Sequence, residues 1–103
     1  MSNFLIIHVT YPNEEIATAI CSRLLKERLI ACANIYPVQS MYNWEGKTVH
    51  EKEWISKLKS MPKNMQAVQL MIEELHPYKI PCITRSQGNA NVAYSNWVAK
   101  ECE

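Results

Sequence analysis

Residues 31–59 read ACANIYPVQSMYNWEGKTVHEKEWISKLK, and the fold turns on how this stretch pairs with itself. Two extended runs meet at Glu45-Gly46-Lys47, a hairpin turn signal. Upstream of Pro37 the small or apolar side chains fall on odd positions: Leu29, Ala31, Ala33 and Ile35. Downstream they fall on even ones: Val38, Tyr42 and Trp44. A parity switch at a proline predicts a bulged or bent strand, because one inserted residue turns every later side chain to the opposite face. Drawn straight at ~3.3 Å per residue, Ala31 to Trp44 would span roughly 45 Å. A compact domain of this size is about 34 Å across. The hairpin is therefore expected to bend and to lie against a neighbouring subunit.

On the N-terminal side, Phe4 to Thr10 is an apolar run interrupted only by His8, which predicts a strand buried on both faces. Asn13 is a good N-cap, Glu14 and Glu15 suit a first turn, and Ile16, Ala17, Ile20, Cys21 and Leu24 form one stripe. A helix over about Glu14–Glu27 follows, with no glycine to close it. On the C-terminal side, Pro62 opens a second helix whose apolar face is Met65, Val68, Ile72 and Leu75. His76-Pro77-Tyr78 ends it, since the residue before a proline resists helical dihedrals. Ile80–Arg85 predicts a short strand and 86–90 a loop. Asn91–Cys102 predicts a last helix with Val92, Trp97 and Val98 facing inward.

The whole chain, residues 1–103, reads as one α+β domain of order βαββαβ plus a C-terminal helix. That is the ferredoxin-like arrangement, with two helices on one face of an antiparallel sheet. The first strand and the aromatic-rich hairpin then leave apolar surface on the other face, which predicts an oligomer. A closed ring would cover that face and the sheet edges together. Eleven basic and ten acidic residues nearly cancel, with no basic run to meet nucleic acid or an anionic membrane. Met1-Ser2-Asn3 leads straight into the apolar run, without the pattern of a signal peptide, and no stretch is long enough to span a bilayer. A cytoplasmic location is expected. The four cysteines, Cys21, Cys32, Cys82 and Cys102, lack C-x-x-C spacing and read as free thiols.

Several strings resemble the CutA divalent-cation tolerance family: Thr10-Tyr11-Pro12-Asn13, residues 27–35 (ERLIACANI), residues 40–47 (SMYNWEGK) and Leu75-His76-Pro77-Tyr78. Gly88-Asn89 and Tyr94-x-x-Trp97 fit as well, in the same order along essentially the whole chain. The resemblance implies a ferredoxin-like homotrimer, similar in architecture to the PII signalling proteins and associated with copper and other divalent metals. Two departures stand out. Where the family commonly reads His-Pro-Tyr-Glu-x-Pro-Glu, this chain carries Lys79 and Cys82 at the acidic positions. An ammonium there repels a cation, and a thiol favours Cu(I) over hard ions. Ser56 and Lys57 also interrupt a strand that is usually apolar.

Cys32 and His76 match the family's cysteine and histidine and, with Cys82, are the candidate metal ligands. Cys32 reads first as a small core residue between Ala31 and Ala33, and His76 also as an imidazole at a helix C-terminus. His50 and Glu51, near the hairpin tip, read as solvated. The aromatic residues, Tyr94 and Trp97 among them, suit core or interface. The sharper alternative is a cleft between subunits built from Arg28, Tyr42, Trp44, Glu45, Trp54, Lys59 and Tyr78, which would bind a metabolite or partner in the manner of PII-like proteins. Gly46 and Gly88 stand alone, outside any phosphate-cradling loop. Neither an organic cofactor nor an enzyme is expected, because no triad order, paired carboxylates or H-E-x-x-H pattern is present.

Overall fold

A computed structural model describes residues 2–103; Met1 lies outside the described residues. The elements run β1 (Ser2–Tyr11), α1 (Glu14–Lys26), β2 (Cys32–Trp44), β3 (Lys47–Ser60), α2 (Met65–Leu75), β4 (Ile83–Ala90) and α3 (Val92–Glu101). The strands form one antiparallel sheet in the order β2-β3-β1-β4. On one face, odd-numbered Leu5, Ile7, Val9 and Tyr11 join Leu58 and the buried stripes of α1 and α2 in the main core. The other face carries α3 across one end, where Phe4, Ala31, Val98 and Cys102 form a smaller cluster. Beyond α3 that face is half open: Ile6, His8, Thr10 and Ile55 are only partly buried and Tyr36 is exposed.

The bulge expected at Pro37 is absent. β2 and β3 pair without interruption from Cys32↔Lys59 through Pro37↔Trp54 to Trp44↔Lys47, so no residue has been inserted. The parity switch has another cause. β1 ends at Tyr11, opposite Trp54, which is itself opposite Pro37. Up to that row the odd side chains Ala33 and Ile35 lie under the helices, and past it the helix layer stops. The ribbon then turns its larger side chains, on even positions, to the other face. Pro37 is tolerated because β2 is an edge strand and an outward-facing position needs no N–H. Past Trp54 the hairpin leaves the sheet as a two-stranded ribbon, and the longest dimension of the chain is 45 Å. Glu45 and Gly46 close it with φ of 50° and 80°, the paired positive φ of a type I′ turn.

Two other expectations are corrected. Residues 86–90 are strand, pairing with β1 from Ile6↔Ser86 to Ser2↔Ala90. An edge strand tolerates their polar side chains, and Gly88 is there because a Cβ would come within 2.7 Å of the Phe4 ring. In α3, Val92 and Trp97 face solvent, while Ser95 and Val98 are buried and Cys102 caps the end. The inward stripe of α3 runs at spacings of three and four through those residues. The end of α1 needs no glycine, because Arg28 takes the left-handed conformation (φ 58°) itself. Its N–H bonds to Leu25 O and that of Leu29 to Leu24 O, the double bond of a Schellman cap.

Candidate functional site

The site begins where α2 stops. His76 is 8% exposed, and both ring nitrogens are engaged. Nε2 donates to Thr10 O at 2.7 Å, while Nδ1 accepts the N–H of Tyr78 at 3.1 Å. A carbonyl on one side and an amide on the other fix the neutral tautomer protonated at Nε2. The ring stacks on Tyr11 at 5.3 Å and leans on Tyr78 at 4.8 Å. Burial lowers its pKa, outweighing the Thr10 carbonyl and the Glu53 charge, which both favour the imidazolium. His76 is therefore a clamp that ties the 77–82 segment to the end of β1.

Held this way, Tyr78 donates its hydroxyl to Glu53 Oε2 at 2.5 Å. Glu53 is only 5% exposed although it lies on the ribbon. Two residues along the same face, Glu51 Oε1 accepts from the Tyr42 hydroxyl at 2.5 Å. Burial first, then the Glu53 carboxylate, pushes the Tyr78 phenol well above its ordinary range. The bond to Glu51 pushes Tyr42 up to about 12. At neutral pH both phenols stay protonated and donate. Between the ribbon and the 78–82 segment lies a cleft of about 700 Å³, lined by Tyr42, Trp44, Tyr78, Glu53, Lys79 and Ile80, with Met41 and Cys82 also on its walls.

The expected cleft residues thus divide. Tyr42, Trp44 and Tyr78 come together, with Glu45 in the turn beyond them. Within one chain the others lie elsewhere. Arg28 caps the end of α3, donating from Nε to Glu103 O and from Nη2 to Lys100 O, both at 3.1 Å. Lys59 is occupied by Asn34 Oδ1. Trp54 packs on the main core from the helix face, under the Lys52 ammonium at 5.6 Å.

The three candidate metal ligands are not gathered either. Cys32 is half-buried, 3.5 Å from the Tyr94 hydroxyl under α3. Its row of the sheet holds Ile6, and Thr10, where His76 is bound, lies four residues further along β1, roughly 13 Å away. Cys82 is exposed on the cleft. Among the described residues no three His, Cys, Asp or Glu side chains converge. His50 and Glu51 are solvent-exposed as expected, with His50 bonded to Gln39. Glu53 is the residue that sequence reasoning missed. In an alternating polar strand nothing distinguishes it from Glu51, and its burial depends on Tyr78 arriving from 25 residues away.

Residues 5–101 match the family model described as CutA1 divalent ion tolerance protein. The divalent-cation tolerance protein CutA of Pyrococcus horikoshii is 39% identical over 98 residues, covering 94% of this chain and 96% of its own. That of Thermotoga maritima is 37% identical over 95 residues, covering 91% and 94%. The structure of the periplasmic divalent cation tolerance protein CutA from Archaeoglobus fulgidus superposes with a TM-score of 0.94 at 29% identity, covering 98% of this chain and 99% of that one. The sheet order, the long hairpin and the added α3 are thus shared over nearly the full length, and this chain belongs to the CutA1 divalent ion tolerance family.

Proposed function

We propose that the chain acts in divalent-cation tolerance as a cytoplasmic homotrimer that binds copper and needs no organic cofactor. The observation that carries this is the presence of two sulfur side chains on the walls of one cleft, the Cys82 thiol and the Met41 thioether. Thiolate and thioether are soft ligands that select Cu(I), whereas Lys79 on the same wall disfavours a hard ion. Four free cysteines suit a reducing compartment. The role is binding rather than catalysis, since His76 has no free nitrogen to serve as a base for Cys32.

Titration of Cu(I) against a chromogenic chelator checks the metal. Cys82→Ser is expected to weaken binding at least tenfold and Cys32→Ala to leave it unchanged; equal affinity in Cys82→Ser removes the site. Assembly is supported by two edge strands, β2 and β4, and by the half-open sheet face around Tyr36 and Ile55. Light scattering at micromolar concentration is expected to give three times the 11.9 kDa chain mass. A particle of one chain mass would overturn the trimer.

A second function has its own support. A cleft of about 700 Å³ with three aromatic walls has the size and lining of a small-molecule site, as a PII-like regulator would require.

A further inference from the structure

The cleft has a charge pattern as well as a shape. Its walls bring together Tyr42, Trp44 and Tyr78 with Glu53, a residue only 5% exposed. Glu51 stands two residues away on the same face of β3 and takes the Tyr42 hydroxyl. The walls themselves carry one acid, Glu53, and one base, Lys79, which is exposed, while Glu51 adds a second acid behind the Tyr42 hydroxyl. Because both phenols donate to carboxylates, electron density is pushed into the rings that border the cleft. Aromatic faces attract cations through their quadrupole, and most strongly where water is excluded. An anion would meet the Glu53 carboxylate on the wall and the Glu51 charge behind Tyr42.

We propose that the cleft takes a small organic cation of the alkylammonium class, with Tyr42, Trp44 and Tyr78 around its methyl or methylene groups and Glu53 and Glu51 balancing its charge. This rests on the small-molecule function above and names the ligand class for it. Lys79 then acts as a selectivity residue, a built-in competitor at the mouth. A simple ammonium must displace it, and a ligand of higher charge density or better aromatic contact does so more easily.

The test is a titration of the assembled protein with three probes of one shape and different charge: tetramethylammonium chloride, tert-butanol and sodium pivalate, at matched ionic strength. The indole N–H of Trp44, assigned with Trp44→Phe, is followed by heteronuclear NMR. Tetramethylammonium is expected to shift it saturably, at least tenfold more tightly than either other probe. Glu53→Gln should lower that affinity about tenfold and abolish the preference over tert-butanol, and Lys79→Ala should tighten it severalfold. If burial makes Glu53→Gln unfold, Glu51→Gln at the exposed position is expected to give a two- to fivefold loss in a folded protein. Equal binding of tert-butanol, or unchanged affinity in the glutamine variants, would sink the cation while leaving a small-molecule cleft in place. No shift of Trp44 by any probe would remove both.

Discussion

Tyr11→Ala is expected to lower the unfolding free energy by about 3–5 kcal/mol, the range for deleting a large buried aromatic side chain. Tyr11 is fully buried at the end of β1 and is the point where three parts of the chain meet. Its ring stacks on His76, its hydroxyl lies 2.7 Å from Ser56 Oγ on β3, and the Cys21 sulfur of α1 is 4.0 Å from the same oxygen. Burial raises its pKa, so the phenol stays protonated and serves as a hydrogen-bonding group across the working pH range. Tyr11→Phe separates packing from hydrogen bonding. It keeps the ring and takes from the fully buried Ser56 hydroxyl its oxygen partner, leaving the weaker Cys21 thiol, at a cost of about 1–3 kcal/mol. Adding Ser56→Ala should recover part of that loss, because removing both partners leaves no unsatisfied group. Urea denaturation at fixed chain concentration measures all three. A loss below about 1 kcal/mol in Tyr11→Ala would mean the site collapses around the deletion and the junction is not tightly packed.

Ser56 also shows how far the sequence could be read. A serine between Trp54 and Leu58 on the helix-facing row of β3 looks like a defect until Tyr11, 45 residues earlier, is placed over it. The elements that were legible are those with a local cause. Asn13 does cap α1, with its side chain accepting from the Ile16 N–H at 2.8 Å. The stripe Ala17, Ile20, Cys21 and Leu24 is buried as its spacing requires. The Glu45-Gly46 turn and the register it imposes on the hairpin are local too. What failed depended on distant partners. The parity switch at Pro37 was real but its cause was not a bulge; it marks the row where β1 and the helix layer end, which no window around Pro37 contains. The role Arg28 has within one chain was not legible either, because its guanidinium serves carbonyls more than 70 residues away. The aromatic half of the cleft was legible as residue types, whereas its acid, Glu53, was not.

The same dependence on distant partners makes His76 the chain's pH-sensitive joint. His76→Ala is expected to cost about 2–4 kcal/mol at pH 7, since it deletes a stacked ring and leaves both the Thr10 carbonyl and the Tyr78 amide without partners. In the intact protein the sign of the pH effect follows from a folded-state pKa that lies below the ordinary 6.5. Above 6.5 the imidazole is neutral in both states and its contribution to stability is complete. As pH falls below that value the unfolded chain binds a proton that the folded chain resists. Stability then declines, with a limiting slope of about 1.4 kcal/mol per pH unit, until the folded imidazole protonates as well. Protonation of Nδ1 sets two N–H groups against each other at Tyr78. The segment carrying Tyr78 should therefore loosen, and Glu53 should gain solvent, before the sheet itself unfolds. An NMR titration is expected to place the His76 midpoint below 6.5, and denaturation curves between pH 7 and pH 5 should show the decline in wild type and a flatter profile in His76→Ala. Equal slopes in the two proteins would assign the acid sensitivity to other groups. A midpoint above 6.5 would mean that the Thr10 carbonyl and the Glu53 charge outweigh burial, and that the clamp closes on imidazolium instead.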